Sequence, residues 1–179
     1  MTTGIGLSSA KKVGDVKDSK KVEVKLIFLD MDGVMNDTKT LEEAAKDYKP
    51  ELHWDRMIGY EFIVRLNSLV EASGAKVVLS SDWRHYFPNL TPFIDLMNRR
   101  GFVGQVIGST PSLDERWMEI SEFMDQLVEA GETVDSFVIL DDYKDMGRLL
   151  PFLVCTEKEH GLQDEHVEQA LEILIKGHS

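Results

Sequence analysis

One cysteine, Cys155, in 179 residues leaves no partner for an intrachain disulfide and no cysteine cluster for a zinc site. Such a chain fits a reducing compartment, and a cytoplasmic location is the expectation. Long apolar runs are missing too: stretches such as 26–29 and 137–140 fall far short of the roughly 20 residues of a membrane helix. Basic charge is in short supply, with 20 Lys and Arg against 32 Asp and Glu and a net charge of -12. Residues 1–21 hold five Lys and two Asp, so the remainder carries fifteen bases and thirty acids, a net -15. An acidic surface repels bulk polyphosphate and argues against broad nucleic-acid binding, though not against a local basic site.

What is present describes a packed, water-facing globule: 42% apolar and 29% charged residues exclude a collagen-like or disordered polymer. The length suits one domain of ordinary size and would cramp two. Residues 1–21 mix Gly, Ser, Thr and Lys with little apolar periodicity, the pattern of a solvated mobile tail, and residues 22–179 form the expected domain. The tail has no apolar core of a secretory signal, and its two acids are unlike a transit peptide. No internal repeat is visible.

Short apolar runs then alternate with amphipathic ones. Strands are expected at 22–30, 75–80, 103–107, 137–141 and 152–155. Helices are expected at 60–72, with Phe62, Ile63, Leu66, Leu69 and Val70 on one face, at 90–100, from a Ser112/Glu115 capping box to about Ala130, and at 164–175. This alternation requires crossovers, hence an α/β fold of three layers around a mostly parallel sheet. Ligands of such sheets bind beyond the carboxyl ends of the strands. Three polar clusters stand there: Asp30-Met31-Asp32-Gly33, Ser80-Ser81-Asp82-Trp83-Arg84, and Asp141-Asp142 with Asp145.

Each cluster alone has an ordinary explanation. Asp and Gly favour turns, paired serines cap helices, and paired acids line solvated loops. Their arrival together at three strand ends favours chemistry. Carboxylates gathered without His or Cys repel one another unless a hard cation such as Mg²⁺ joins them. A divalent ion, a carboxylate nucleophile, a serine hydroxyl and a cationic side chain suit phosphoryl transfer.

The chain resembles the haloacid dehalogenase (HAD) superfamily of phosphohydrolases in four places. These are an apolar strand before Asp30-Met31-Asp32-Gly33-Val34, another before Ser80, a cation ahead of the last motif, and a third strand before Asp141-Asp142 with Asp145. More narrowly, it is similar to the HAD domain of Swiss Army Knife RNA repair proteins. That likeness rests on Met35-Asn36, on Ser80-Ser81-Asp82-Trp83-Arg84, on Arg116 followed by Glu119-Ile120, and on the ending from Leu153 to Leu162. The resemblance spans about residues 25–174 and implies a Rossmann-like fold with a minimal cap. It makes Asp30 the nucleophile of an aspartyl-phosphate mechanism and Asp32 the general acid and then base. Mg²⁺ would be held by Asp30, the carbonyl of Asp32 and Asp141, with Asp142 or Asp145 supporting its waters. Ser80, with Ser81 beside it, would bind phosphate. The superfamily's basic residue is usually Lys, but none lies between Lys76 and Lys144, so Arg116 fills that role or Arg84 replaces it.

The function expected is therefore a Mg²⁺-dependent phosphomonoesterase acting on nucleic-acid ends or another large phosphorylated molecule, with no membrane or obligate protein partner. Two other classes compete. A receiver-type signalling domain also gathers acids at strand ends, but its paired acids follow the first strand and its single acceptor the third, the reverse of this order. A catalytically weak binding module would have no reason to keep Asp30, Asp32, Ser80 and Asp141 together. Trp83 could stack a base, although packing is the plainer reading. His53-Trp54 and His85 are expected in loops, in surface or packing roles, and Cys155 is expected as a small apolar residue of a buried strand. About 25 residues, 34–58, separate the first motif from the first helix, too few for a large lid.

Overall fold

The computed structural model describes residues 23–46 and 48–176, so the expected tail at 1–21 lies outside the described residues. Five strands, β1 (Glu23–Leu29), β2 (Lys76–Leu79), β3 (Val106–Ser109), β4 (Thr133–Asp141) and β5 (Leu153–Cys155), form one sheet in the order β3-β2-β1-β4-β5. Every pairing is parallel. The helices are α1 (Thr38–Lys46), α2 (His53–Arg56), α3 (Tyr60–Ser73), α4 (Leu90–Arg99), α5 (Arg116–Glu129) and α6 (Asp164–Lys176).

Both faces of the sheet are covered, which is why its central strands read as apolar runs rather than alternations. Ile27, Leu29, Val77, Leu79, Val138 and Leu140 pack under α3, α4 and α6. Their neighbours Leu26, Phe28, Val78 and Ile139 point the other way, against Ile120 and Phe123 of α5 and Leu149 of a 3-10 turn. Phe28 meets Phe123 and Phe137 edge to face, with centroids 6.0 and 5.9 Å away. Among the described residues no helix is long and apolar enough to cross a membrane.

The register sets up the site. Leu29 of β1 stands level with Leu79 of β2 and with Leu140 of β4. The next residue of each chain segment, Asp30, Ser80 and Asp141, therefore stands beside the others at the carboxyl edge of the sheet. Two backbone bonds carry the pairing one step further: Asp30 N–H to the Leu140 carbonyl (2.9 Å) and Ser80 N–H to that of Leu29 (2.8 Å). Because β1 sends its crossovers to β2 on one side and lies against β4 on the other, this is the point where strand order reverses and a crevice opens.

Several boundaries differ from expectation. The third strand begins later, at Val106, and the fourth earlier, at Thr133. The Ser112/Glu115 capping box does not form: α5 starts at Arg116, and Glu115 makes no side-chain cap bond. Glu119 instead accepts the Leu113 N–H at 3.0 Å, holding the preceding loop extended. Residues 34–58 are not plain loop but contain α1, a 3-10 turn (Pro50–Leu52) and α2. His53 and Trp54 thus lie on α2, and His85 on a 3-10 turn (Asp82–His85). No residue of α1 is buried, so the insertion makes only a small cap.

Candidate active site

After β1 the chain turns at once. The Met35 N–H returns to the Met31 carbonyl at 2.8 Å, and Gly33 takes a left-handed φ of 77°. A Cβ on Gly33 would sit 2.7 Å from Asp142 Oδ2, so the residue is kept small by conformation and by contact. Thr156, just after β5, ties the turn down by donating to the Gly33 carbonyl at 2.7 Å.

This turn separates the two acids of the first motif. Asp30 is buried and points toward Asp141 and Asp142; one carboxylate oxygen from each of the three lies within 4.8 Å of the others. Asp32 is exposed and is held from both ends, with Oδ1 accepting from the Asn36 amide (2.9 Å) and Oδ2 from the Trp83 indole N–H (3.0 Å). It does not join the three-carboxylate cluster. Asp145 is also apart: exposed, it accepts from the Gly147 N–H at 3.3 Å.

Arg116, at the first turn of α5, faces the cluster. Its Nη1 is 3.8 Å from Asp30 Oδ1, its Nε is 3.6 Å from Asp141 Oδ2, and it also donates to the Ser80 carbonyl. Arg84 is engaged elsewhere. It reaches Glu119 Oε1 at 2.5 Å and the Ser81 carbonyl at 3.0 Å, making a buried ion pair. Beside Arg116 a cavity of about 330 Å³ is lined by Arg84, His85, Leu113, Glu115 and Tyr143 among others. Lys158, 3.4 Å from Asp142 Oδ2, is the cation that the sequence reading left out.

Burial, then the Asp141 carboxylate, pushes the Asp30 carboxyl well above the usual carboxylate range, against the pull of Arg116 and of hydrogen bonds from Ser81 and Met31. Asp141 is raised as well, mainly by burial, with Arg116 opposing. Asp141 Oδ2, Asp142 Oδ2 and the Ser80 hydroxyl are buried and make no hydrogen bond. Each of the two carboxylate oxygens has a basic side chain nearby, Arg116 at 3.6 Å and Lys158 at 3.4 Å, but neither makes a hydrogen bond to it, and the all-oxygen set they leave fits Mg²⁺. Ser80 Oγ is likewise free to meet a ligand oxygen, whereas Ser81 Oγ accepts the Trp83 N–H at 3.4 Å.

Asn36, Trp83 as a donor, Thr156 and Lys158 are the contributors that sequence reasoning missed or undervalued. Asn36 and Trp83 stood inside the quoted motifs, so their amide and indole N–H groups were the available signal. Thr156 and Lys158 stood inside the ending from Leu153 to Leu162 that supports the resemblance, but nothing in their spacing showed that they follow an edge strand to the site.

A parallel sheet with acids, a serine and an arginine converging at its switch point defines a phosphohydrolase-type α/β domain. Residues 26–167 match the family model described as the HAD domain in Swiss Army Knife RNA repair proteins, and the chain belongs to that family. Neither curated proteins nor solved structures give a match.

Proposed function

We propose that the protein is a Mg²⁺-dependent phosphomonoesterase that works through an aspartyl phosphate on Asp30, with phosphorylated nucleic-acid ends as the substrate class. The observation that carries this reading is the trio of Asp30, Asp141 and Asp142, with two buried oxygens that make no hydrogen bond and Arg116 alongside. Asp30, Asp141 and Asp142 would hold the metal, which when bound offsets the charge of the acids and of the phosphoryl group.

The remaining chemistry belongs to the side chains. An oxygen of Asp30 attacks phosphorus, and the bond to the leaving oxygen breaks as Asp32 gives that oxygen its proton. Water then attacks the phosphorus of the acyl phosphate while Asp32 takes a proton, so phosphate departs and the Asp30 carboxylate is restored. Trp83 and Asn36 keep the Asp32 carboxyl aimed, and Arg116 neutralises charge beside the nucleophile. Ser80 Oγ donates to a phosphoryl oxygen.

The small cap supports a large substrate, because α1 buries nothing and cannot enclose a metabolite. EDTA should stop turnover and Mg²⁺ restore it, with Ca²⁺ a poor substitute because its longer, looser bonds misplace the phosphoryl group. Oligonucleotides phosphorylated at an end should show a higher kcat/KM than sugar phosphates. Full activity in EDTA would refute the mechanism, and a sugar phosphate hydrolysed far more efficiently than every oligonucleotide would refute the substrate class.

A further inference from the structure

A continuous run of aromatic rings leads away from Asp32. Trp83, which donates to Asp32 Oδ2, meets Trp54 of the cap with centroids 4.8 Å apart. Trp54 in turn touches Tyr86 at 5.1 Å and His53 at 5.0 Å, and His53 touches Tyr48 at 5.4 Å. At the inner end the rings are core: Trp83 is 2% exposed. At the outer end packing no longer explains them, since Tyr86 is 66% and Tyr48 62% exposed.

We propose that Tyr86 and Tyr48, joined through Trp54 and His53, form a stacking platform for the unpaired base of the phosphorylated nucleotide. The inference rests on the phosphatase reading and adds to it the means by which the leaving group is held. Three features select a base. Two rings, Trp83 and Trp54, separate Tyr86 from the carboxyl that protonates the leaving oxygen, so the platform opens on the leaving-group side. A base stands one sugar away from a terminal phosphate, whereas the ring of a phosphotyrosine is bonded directly to the reacting oxygen and would end inside the crevice. The chain also carries a net -15 outside residues 1–21, which leaves little charge to track a phosphate backbone. Stacking needs no such charge, because every base offers a π-face.

Calorimetric titration of the Asp30→Asn protein with Mg²⁺ tests the platform without turnover. The probes are short single strands bearing a 3′- or 5′-terminal phosphate, with either a base or an abasic site at the phosphorylated residue. Base-bearing strands should bind at least about tenfold more tightly than abasic ones, a difference of about 1.4 kcal/mol. Tyr86→Ala should erase that preference, Tyr86→Phe should keep it, and the melting temperatures of both should stay close to that of the parent. Equal affinity for the two strands, no binding of either, a preference that survives Tyr86→Ala, or tighter binding of a phosphotyrosine peptide would each overturn the proposal. Failure of the phosphatase reading is a separate result: no Mg²⁺-dependent hydrolysis of any phosphomonoester by the wild-type chain.

Discussion

Arg84 and Arg116 are both largely buried, and their surroundings give them opposite work. Arg116 faces Asp30 and Asp141 without a close bidentate partner, whereas Arg84 is committed to Glu119 at 2.5 Å. Arg116→Ala should therefore lower kcat by about 10²–10³-fold, as expected for loss of a group aimed at developing charge. Arg84→Ala should act on stability, because it strands a buried Glu119 carboxylate; breaking such a pair costs about 3–5 kcal/mol. Thermal melts and steady-state kinetics of the two variants separate these effects, and an Arg84→Ala protein with an unchanged melt and no turnover would reverse the assignment. Asp30 and Asp32 divide in the same way. Asp30→Asn should abolish turnover, because an amide is no nucleophile, while Asp32→Asn should leave a residue of activity about 10²–10⁴-fold lower. Wild-type rates in either variant would remove these roles. Gly33 is a third position with one use: Ala there meets a left-handed φ of 77° and the Asp142 carboxylate, so Gly33→Ala should weaken Mg²⁺ binding in a titration as well as stability.

The 3-10 turn at Asp82–His85 links the cap to the chemistry, because its Trp83 packs on Trp54 and donates to Asp32. Trp83→Phe keeps a ring in the core and removes the N–H, so activity should fall about tenfold, the worth of one hydrogen bond to a charged group, with little change in melting temperature. An equal loss of activity and stability would mean that the tryptophan only packs. That turn also marks where the sequence stopped being readable. Strand ends were legible because apolar runs stop sharply at Asp30, Ser80 and Asp141, and the parallel register then brings them level. The helix face of α3 followed from its spacing, with Phe62, Ile63, Leu66, Leu69 and Val70 all buried. The cap did not, because α1 buries no side chain and so shows no stripe against the core. Nor did the true start of α5, where Ser112 and Glu115 offered a local cap and the Arg84–Glu119 pair, made between distant segments, took the loop instead. Asp145, which the resemblance offers with Asp142 as support for the metal's waters, closes a turn on Gly147 and stands outside the three-carboxylate cluster.

Folding gathers carboxylates that repel one another, and the whole molecule bears that strain. Asp30 is raised from 3.8 to about 8 and Asp141 also upward, first by burial in both cases. The folded chain thus binds more protons than the unfolded chain between those values, and without metal its stability should fall as pH rises from about 4 to about 8. A divalent cation ionises the same groups and binds only the folded site, so the rise in melting temperature on adding Mg²⁺ should be larger at pH 8 than at pH 5. Melts independent of both pH and Mg²⁺ would deny the site its metal. The phosphoenzyme is the more direct test. A chain mixed with Mg²⁺ and a ³²P-labelled terminally phosphorylated oligonucleotide, quenched in acid within a turnover and mapped by peptide, should carry label on Asp30 alone. The label should be absent with EDTA or in Asp30→Asn. Rapid release of phosphate with no label on the protein at any quench time, or label on another residue, would contradict the mechanism.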